Sequence, residues 1–338
     1  MSDSGPWRLR IQETVAAGAH PSRPLQSGHA ARVMTGAPLI PGADTVIPVE
    51  NVEFESEFVI IREAPAGESH VRPPGDDIQK GSRLFRQGDV LGPVDLGVLA
   101  SLGLTEVRAV PRPRLAVFST GSEVVEPPVP LKPGQIYDSN GRVLKSLLSR
   151  DGHAHIGGGR IIADNPDAIC AAVQEALSTH DLVITTGGVS MGDFDFVPTS
   201  IQRLGGRVIF HKVSVKPGKP VFVAAVGAGW LVALPGNPVS VVAGYHLFAR
   251  RVICRLMGTA YSPRSAEAVL EEEVPIQGNR LCLVGARLQE FNGRVTASPS
   301  LRQKSGRLSS ILGINGFIFL EGGTRTVARG TEAHAEWL

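Results

Sequence analysis

The chain has 338 residues, 42% hydrophobic and 20% charged, enough apolar material for about two domains with cores of their own. Its formal net charge is only +2, so no global field recruits nucleic acid or an anionic membrane surface. Three cysteines, Cys170, Cys254 and Cys282, form no CxxC pair and no closed disulfide framework, which suits a reducing cytoplasm.

The opening residues MSDSGPWRLRIQ carry no apolar core of the secretory kind. Residues 1–75 read as a small β-rich domain, with Thr45–Val49 and Phe58–Arg62 as β-branched runs between turns. Residues 76–113 form a helical and linker segment, with a helix over Pro93–Leu102, Gly103 as its stop and Pro111 and Pro113 beyond. From residue 114 to 260 strands and helices alternate. Leu115–Phe118 is an apolar strand, and Asp138 or Ser139 caps a helix with Val143, Leu144, Leu147 and Leu148 on one face. Asn165 and Pro166 start a helix with Ile169, Val173, Ala176 and Leu177 inward, and Leu182–Thr185 is a strand buried on both sides. The stretch Pro220 to Ala249 has no Asp, Glu, Lys or Arg, but glycines and prolines break it into two buried strands, a turn and a helix capped by Asn237. Residues 261–338 hold short β runs, Val284–Leu288 and Gly316–Leu320, between glycine turns. The predicted fold class is α/β, a central doubly wound sandwich flanked by a small N-terminal β-rich domain and a C-terminal barrel-like domain.

In such sheets ligands bind at the carboxyl ends of strands, and four loops there are unusual. They are Thr120-Gly121-Ser122-Glu123, Tyr137-Asp138-Ser139-Asn140, the run from Thr185 through Gly187, Gly188, Ser190 and Asp193 to Asp195, and Lys216-Pro217-Gly218-Lys219. Pro235-Gly236-Asn237-Pro238 follows one hairpin later. Paired glycines let backbone amides approach an anion, and a stiff Pro-Gly turn aims two lysines at one oxyanion. Asp138, Asp193 and Asp195 could hold Mg²⁺ facing a phosphate, or serve as ordinary caps and turn residues. No Walker sequence is present, and His153-Ala-His155 has no third zinc ligand nearby. Gly188-Val-Ser190-Met-Gly192 matches a serine-esterase elbow, but no Asp follows Asp195, so the triad acid would have to be a distant Glu.

Taken together these motifs resemble the molybdopterin molybdenumtransferase family (MoeA-like proteins and the gephyrin E domain). Further matching segments are Arg32-Val-Met-Thr-Gly-Ala-Pro38, Pro41-Gly-Ala-Asp44, Gly75-Asp-Asp-Ile78, Leu308-Ser-Ser310 and Asn315-Gly-Phe317. The resemblance implies a MogA-like molybdopterin-binding domain in the middle of the chain. It implies a reaction in which molybdate enters the dithiolene of adenylated molybdopterin, with Mg²⁺-dependent hydrolysis and release of AMP. By carry-over, Asp138 and Asp195 hold Mg²⁺ and the anhydride, and with Lys216 and Lys219 form the catalytic set. Thr120, Gly121, Ser122, Gly187, Gly188, Ser190, Pro235, Gly236, Asn237 and Pro238 line the substrate site. Lys216, Lys219, Arg287 and Ser305 contact molybdate.

The family's usual N-terminal helical segment and its Ser-Ala-Met-Asp-Gly-Tyr-Ala motif do not occur in these residues. Residues 76–113 then correspond to the remnant of a dimerisation domain, with apolar surface expected to be exposed around 93–110. The resemblance implies a homodimer and other proteins of molybdenum cofactor biosynthesis as partners. The alternative reading is a non-catalytic binder of molybdopterin or its adenylate.

Overall fold

Trp7, Leu9 and Ile11 alternate with Arg8, Arg10 and Gln12, the period-2 pattern of a half-buried strand. The computed structural model, which describes residues 5–63, 70–152, 154–189 and 196–338, accordingly begins with strand β1, Trp7–Val15. Strands β2 (His29–Val33), β3 (Glu53–Glu55) and β4 (Phe58–Ile61) join it in a four-stranded sheet of order β2-β1-β4-β3. This sheet belongs to the first of two compact units, Met1–Arg86. The expected strand Thr45–Val49 does not form. Pro48 has no N–H to give a ladder, and Val49–Asn51 instead closes a 3₁₀ turn.

The second unit, Gln87–Leu338, opens with helix α1, Pro93–Ser101, where the sequence places it. Val94, Leu96, Leu104, Val107 and Val110 are exposed there, as expected. Strands β5 (Arg114–Thr120), β6 (Val124–Val125) and β7 (Ile136–Tyr137) precede α2 (Ser139–Asp151), and β8 (His155–Gly158) and β9 (Ile161–Ile162) precede α3 (Pro166–Leu177). Gly157 and Gly158 are therefore strand residues. Next come β10 (Leu182–Thr186), α4 (Phe196–Arg203), β11 (Arg207–His211), β12 (Val215–Lys216), β13 (Phe222–Val226) and β14 (Gly229–Leu234). The central sheet has the order β11-β13-β14-β10-β5-β8, with β9 also on β5. β14, β10, β5 and β8 run parallel, while β13 pairs antiparallel with both β14 and β11.

Alternation sorts this sheet's side chains to two faces. Ala116, Phe118, Val183 and Leu231 meet α3 and α4, while Leu115, Val117, Ile184 and Val232 meet α2 and the long helix that follows β14. That helix runs as α5 (Pro238–Gly244), a π-helical turn over Tyr245–Ala249 and α6 (Arg250–Leu256). No helix among the described residues is long and apolar enough to cross a membrane.

The C-terminal strands are β15 (Ser265–Leu270), β16 (Val274–Ile276), β17 (Leu281–Phe291), β18 (Arg294–Pro299), β19 (Gly316–Leu320), β20 (Arg325–Val327) and β21 (Glu332–Trp337). β17, β18, β15, β21 and β19 pair in that order, and β19 returns to β17, which closes a five-stranded barrel. Val239, Val242, Ala243 and Leu247 of the long helix pack against Leu283, Ile311 and Phe317 of the barrel region.

A buried polar chain crosses the same seam. Tyr245 donates to Asp151 (2.8 Å), Arg250 bonds Asp151 and donates to His246 Nδ1 (3.2 Å), and His246 Nε2 meets Glu336 (2.7 Å). A guanidinium can only donate, so His246 Nδ1 accepts and its Nε2–H donates to Glu336. Burial alone would raise the Glu336 carboxyl, but the hydrogen bonds from His246 and His334 and the Arg251 charge carry it below the ordinary range. A depressed carboxylate contributes stability above its unfolded value and loses it as pH falls through the folded one. Glu336→Ala is therefore expected to cost roughly 3 kcal/mol in urea unfolding at pH 7, a deficit that shrinks below about pH 4.

Candidate functional site

The parallel strands end on one side of the sheet, and a cleft of about 1220 Å³ opens there between those ends and the barrel. Ser119, Thr120, Gly121, Asp138, Asn140, Gly187 and Gly188 line it from the sheet side, with Pro235 to Pro238. Ile276, Arg280, Cys282, Gln303, Lys304 and Ser305 line it from the barrel side, and Lys216 and Lys219 also face it. Among the described lining residues the cations are Lys216, Lys219, Arg280 and Lys304, and the carboxylates are Glu123, Asp138 and Asp164. The cations sit on the β12 turn and the barrel; the carboxylates all come from the sheet's loops.

Local bonding explains why these side chains stay in place. Asp138 is the N-cap of α2: its Oδ1 accepts from the Gly141 amide (2.9 Å) and its Oδ2 from the Ser119 hydroxyl (2.8 Å). A Cβ on Gly141 would stand 2.3 Å from Asp138 Oδ2, so only glycine leaves room for the carboxylate to fold back. Gly187 takes φ +90°, and a Cβ there would lie 2.6 Å from the Thr120 carbonyl oxygen. Thr120 donates to the Thr186 carbonyl (3.2 Å), tying the ends of β5 and β10 together under the cleft. Asn140 donates to the Gly236 carbonyl (2.8 Å) and fixes the second proline loop against α2.

Ser122 does not line the cleft but holds Asp164, its amide donating to Oδ2 (3.3 Å). Burial lifts the Asp164 carboxyl above the ordinary carboxylate value, the Ser122 amide pulls it back, and the Glu123 charge adds to the rise. Lys216 and Lys219 flank the turn as the sequence suggests, both exposed to the cleft. Ser305 is present on the barrel side, where its hydroxyl accepts from Asn237 Nδ2 (3.4 Å) and its carbonyl from the Val239 amide (3.1 Å). Arg287 is exposed on β17 and is not among the lining residues. Arg280, in the bend just before the same strand, is; its Nη1 donates to the Val215 carbonyl (3.3 Å) beside Lys216. Sequence reasoning passed over Arg280, Lys304 and Asp164. The one signal was a cation next to a glycine turn, at Gly278 and Gly306.

Ser190, Asp193 and Asp195 lie outside the described residues, as does His153. No group of three His, Cys, Asp or Glu side chains gathers to hold a metal among the described residues. Mg²⁺ beside a phosphate commonly takes only one or two protein carboxylates and fills its shell with phosphate oxygens and water. Of the carboxylates on this wall, Asp138 is the one fixed by two hydrogen bonds and so the one donor the described residues offer such an ion.

Three family models tile the chain: "MoeA N-terminal region (domain I and II)" over residues 2–103, "Probable molybdopterin binding domain" over 116–255 and "MoeA C-terminal region (domain IV)" over 267–338. A molybdopterin molybdenumtransferase of Staphylococcus epidermidis is 34% identical over 326 residues, covering 95% of this chain and 77% of that protein. Its Bacillus subtilis namesake is also 34% identical, covering 96% and 76%. A solved molybdopterin biosynthesis MoeA protein of Pyrococcus horikoshii superimposes with TM-score 0.80 at 30% identity, over 98% of this chain and 81% of that one.

Two changes test the sheet-side wall. Gly141→Ala is expected to expel the Asp138 carboxylate and cost about 2 kcal/mol of the cap's contribution, read by urea unfolding. Asp164→Asn keeps the acceptor for Ser122 and removes a carboxyl that resists ionisation. The raised value penalises the fold progressively as pH climbs from the unfolded carboxyl value through the folded one, so this variant should melt higher at pH 7 and lose that advantage below about pH 4.

Proposed function

Because the chain belongs to the molybdopterin molybdenumtransferase family, a family of molybdenum cofactor biosynthesis, we propose that it inserts molybdate into adenylated molybdopterin and releases AMP. The observation that carries this reading is the division of charge in one cleft, cations on the barrel and β12 turn, carboxylates on the sheet's loops. Molybdate is a dianion, and an oxyanion needs fixed donors in a partly dehydrated place. Lys216, Lys219, Arg280, Lys304 and the Ser305 hydroxyl supply them; Arg287 is left out of this set. Arg280 contributes a planar fork held by the Val215 carbonyl, the lysines contribute mobile point charges.

The nucleotide half belongs to the glycine loops. Gly187 and Gly188 give this wall a backbone without side chains that a phosphate can approach, the Gly187 amide itself being held by the Leu234 carbonyl (2.9 Å), while Thr120, Gly121, Asn237 and the flanking prolines shape the wall. Asp138 and Asp195 are the residues proposed to hold Mg²⁺, whose charge would stabilise the departing AMP phosphate. Asp138 is held in one orientation because the Gly141 amide at the helix N-terminus and the Ser119 hydroxyl both donate to it. In the overall reaction molybdate exchanges oxo ligands, released as water with the thiol protons, for the two dithiolene sulfurs, a second water cleaves the anhydride, and AMP leaves.

The test is AMP release from adenylated molybdopterin by the purified chain, with and without molybdate. Lys219→Ala and Arg280→Ala are each expected to raise the molybdate KM on the order of tenfold, the loss of one charge-assisted contact. Asp138→Asn is expected to lower kcat about a hundredfold with little change in molybdate KM. Tight binding of the adenylate with no molybdate-dependent AMP release would overturn the transferase reading in favour of a binding protein.

A further inference from the structure

The edge of β17 that faces the cleft is occupied in two pieces. β12, carrying Lys216, pairs with Leu281 and Cys282, and β18 pairs from Ala286 onward. Between them Leu283 and Gly285 turn their backbone groups to the same edge as Leu281, while Cys282, Val284 and Ala286 pair with β19 on the other. Gln303 fills that gap with its side chain. Its Oε1 accepts from the Gly285 amide (2.7 Å) and its Nε2 donates to the Leu283 carbonyl (2.8 Å), the two bonds that a neighbouring strand would make. The Ser300 amide completes the edge by donating to the Gly285 carbonyl (2.7 Å).

The residues after Gln303 are Lys304 and Ser305, and Ser305 is bonded on to Asn237 and Val239 of the opposite wall. We propose that Gln303 is a positioning residue for the oxyanion, because its amide clamps the 300–306 loop to β17 and so holds Lys304 and Ser305 at a fixed distance from Lys216 and Arg280. This rests on the molybdate reading of those side chains. A primary amide is suited to the place: it alone offers one acceptor and one donor in the spacing of a strand edge. A Cβ on Gly285 would come within 3.1 Å of Gln303 Oε1, so the strand leaves the room that the clamp uses.

Gln303→Leu keeps much of the side chain's bulk and removes both bonds; Gln303→Asn keeps the amide and is one methylene too short to span them. Both variants and the parent would be assayed for molybdate-dependent AMP release and for molybdate binding by equilibrium dialysis, with Lys304→Ala alongside. The expected result is a molybdate KM and Kd raised about tenfold in both Gln303 variants, with kcat and the KM for adenylated molybdopterin within about twofold of the parent. An unchanged molybdate KM and Kd in the Gln303 variants, while Lys304→Ala raises them, would overturn the clamp and leave the oxyanion reading standing. A fall of kcat and of the thermal midpoint, with both KM values raised together, would make Gln303 merely structural and overturn it as well. No effect in any of the three variants would overturn the oxyanion reading itself.

Discussion

Leu182 to Thr186 are buried along their whole length, with alternate side chains entering the two apolar layers on either side of the central sheet. A strand so enclosed can expose polar chemistry only where it stops. Everything the site uses follows from that constraint. Thr120 and Thr186 lock the ends of β5 and β10 at one level, the glycines at 187 and 188 turn the chain away without side chains, and the cap at Asp138 forms where the next helix begins.

The barrel supplies what the sheet cannot. Its loops bring Arg280 and Lys304 to the wall opposite the sheet's loops, and the seam is closed by both apolar packing and the buried chain from Asp151 to Glu336. The two kinds of contact do different work. Apolar burial resists separation of the domains without direction, whereas the hydrogen bonds of His246 and Glu336 define one register between helix and barrel.

How much could be read beforehand depended on the range of the interaction. The helix starts at Asp138 and Asn165 and the strand at Leu182 are set by near neighbours, and the sequence placed them within a residue or two. The lysines of the Pro-Gly turn are likewise local. Arg280 escaped because its place is set by the pairing of β12 with β17, a contact that spans 65 residues. Arg287 rested on the family resemblance alone, and it lies exposed on β17 outside the cleft lining. Thr45–Val49 failed for a local reason that was visible, Pro48, but its β-branched neighbours outweighed it in the reading.

The first turn of the long helix has a further consequence. Asn237 stands at its N-cap without capping it through its side chain, and the Val239 amide finds its acceptor in the Ser305 carbonyl of the barrel loop. The helix is thus finished by a residue from another layer of the molecule. An isolated α/β half cut at residue 260 would carry an unsatisfied amide and the bare Val239, Val242 and Leu247 surface into water. Borrowing that half as a free-standing molybdopterin binder would require a new cap and a repainted helix face.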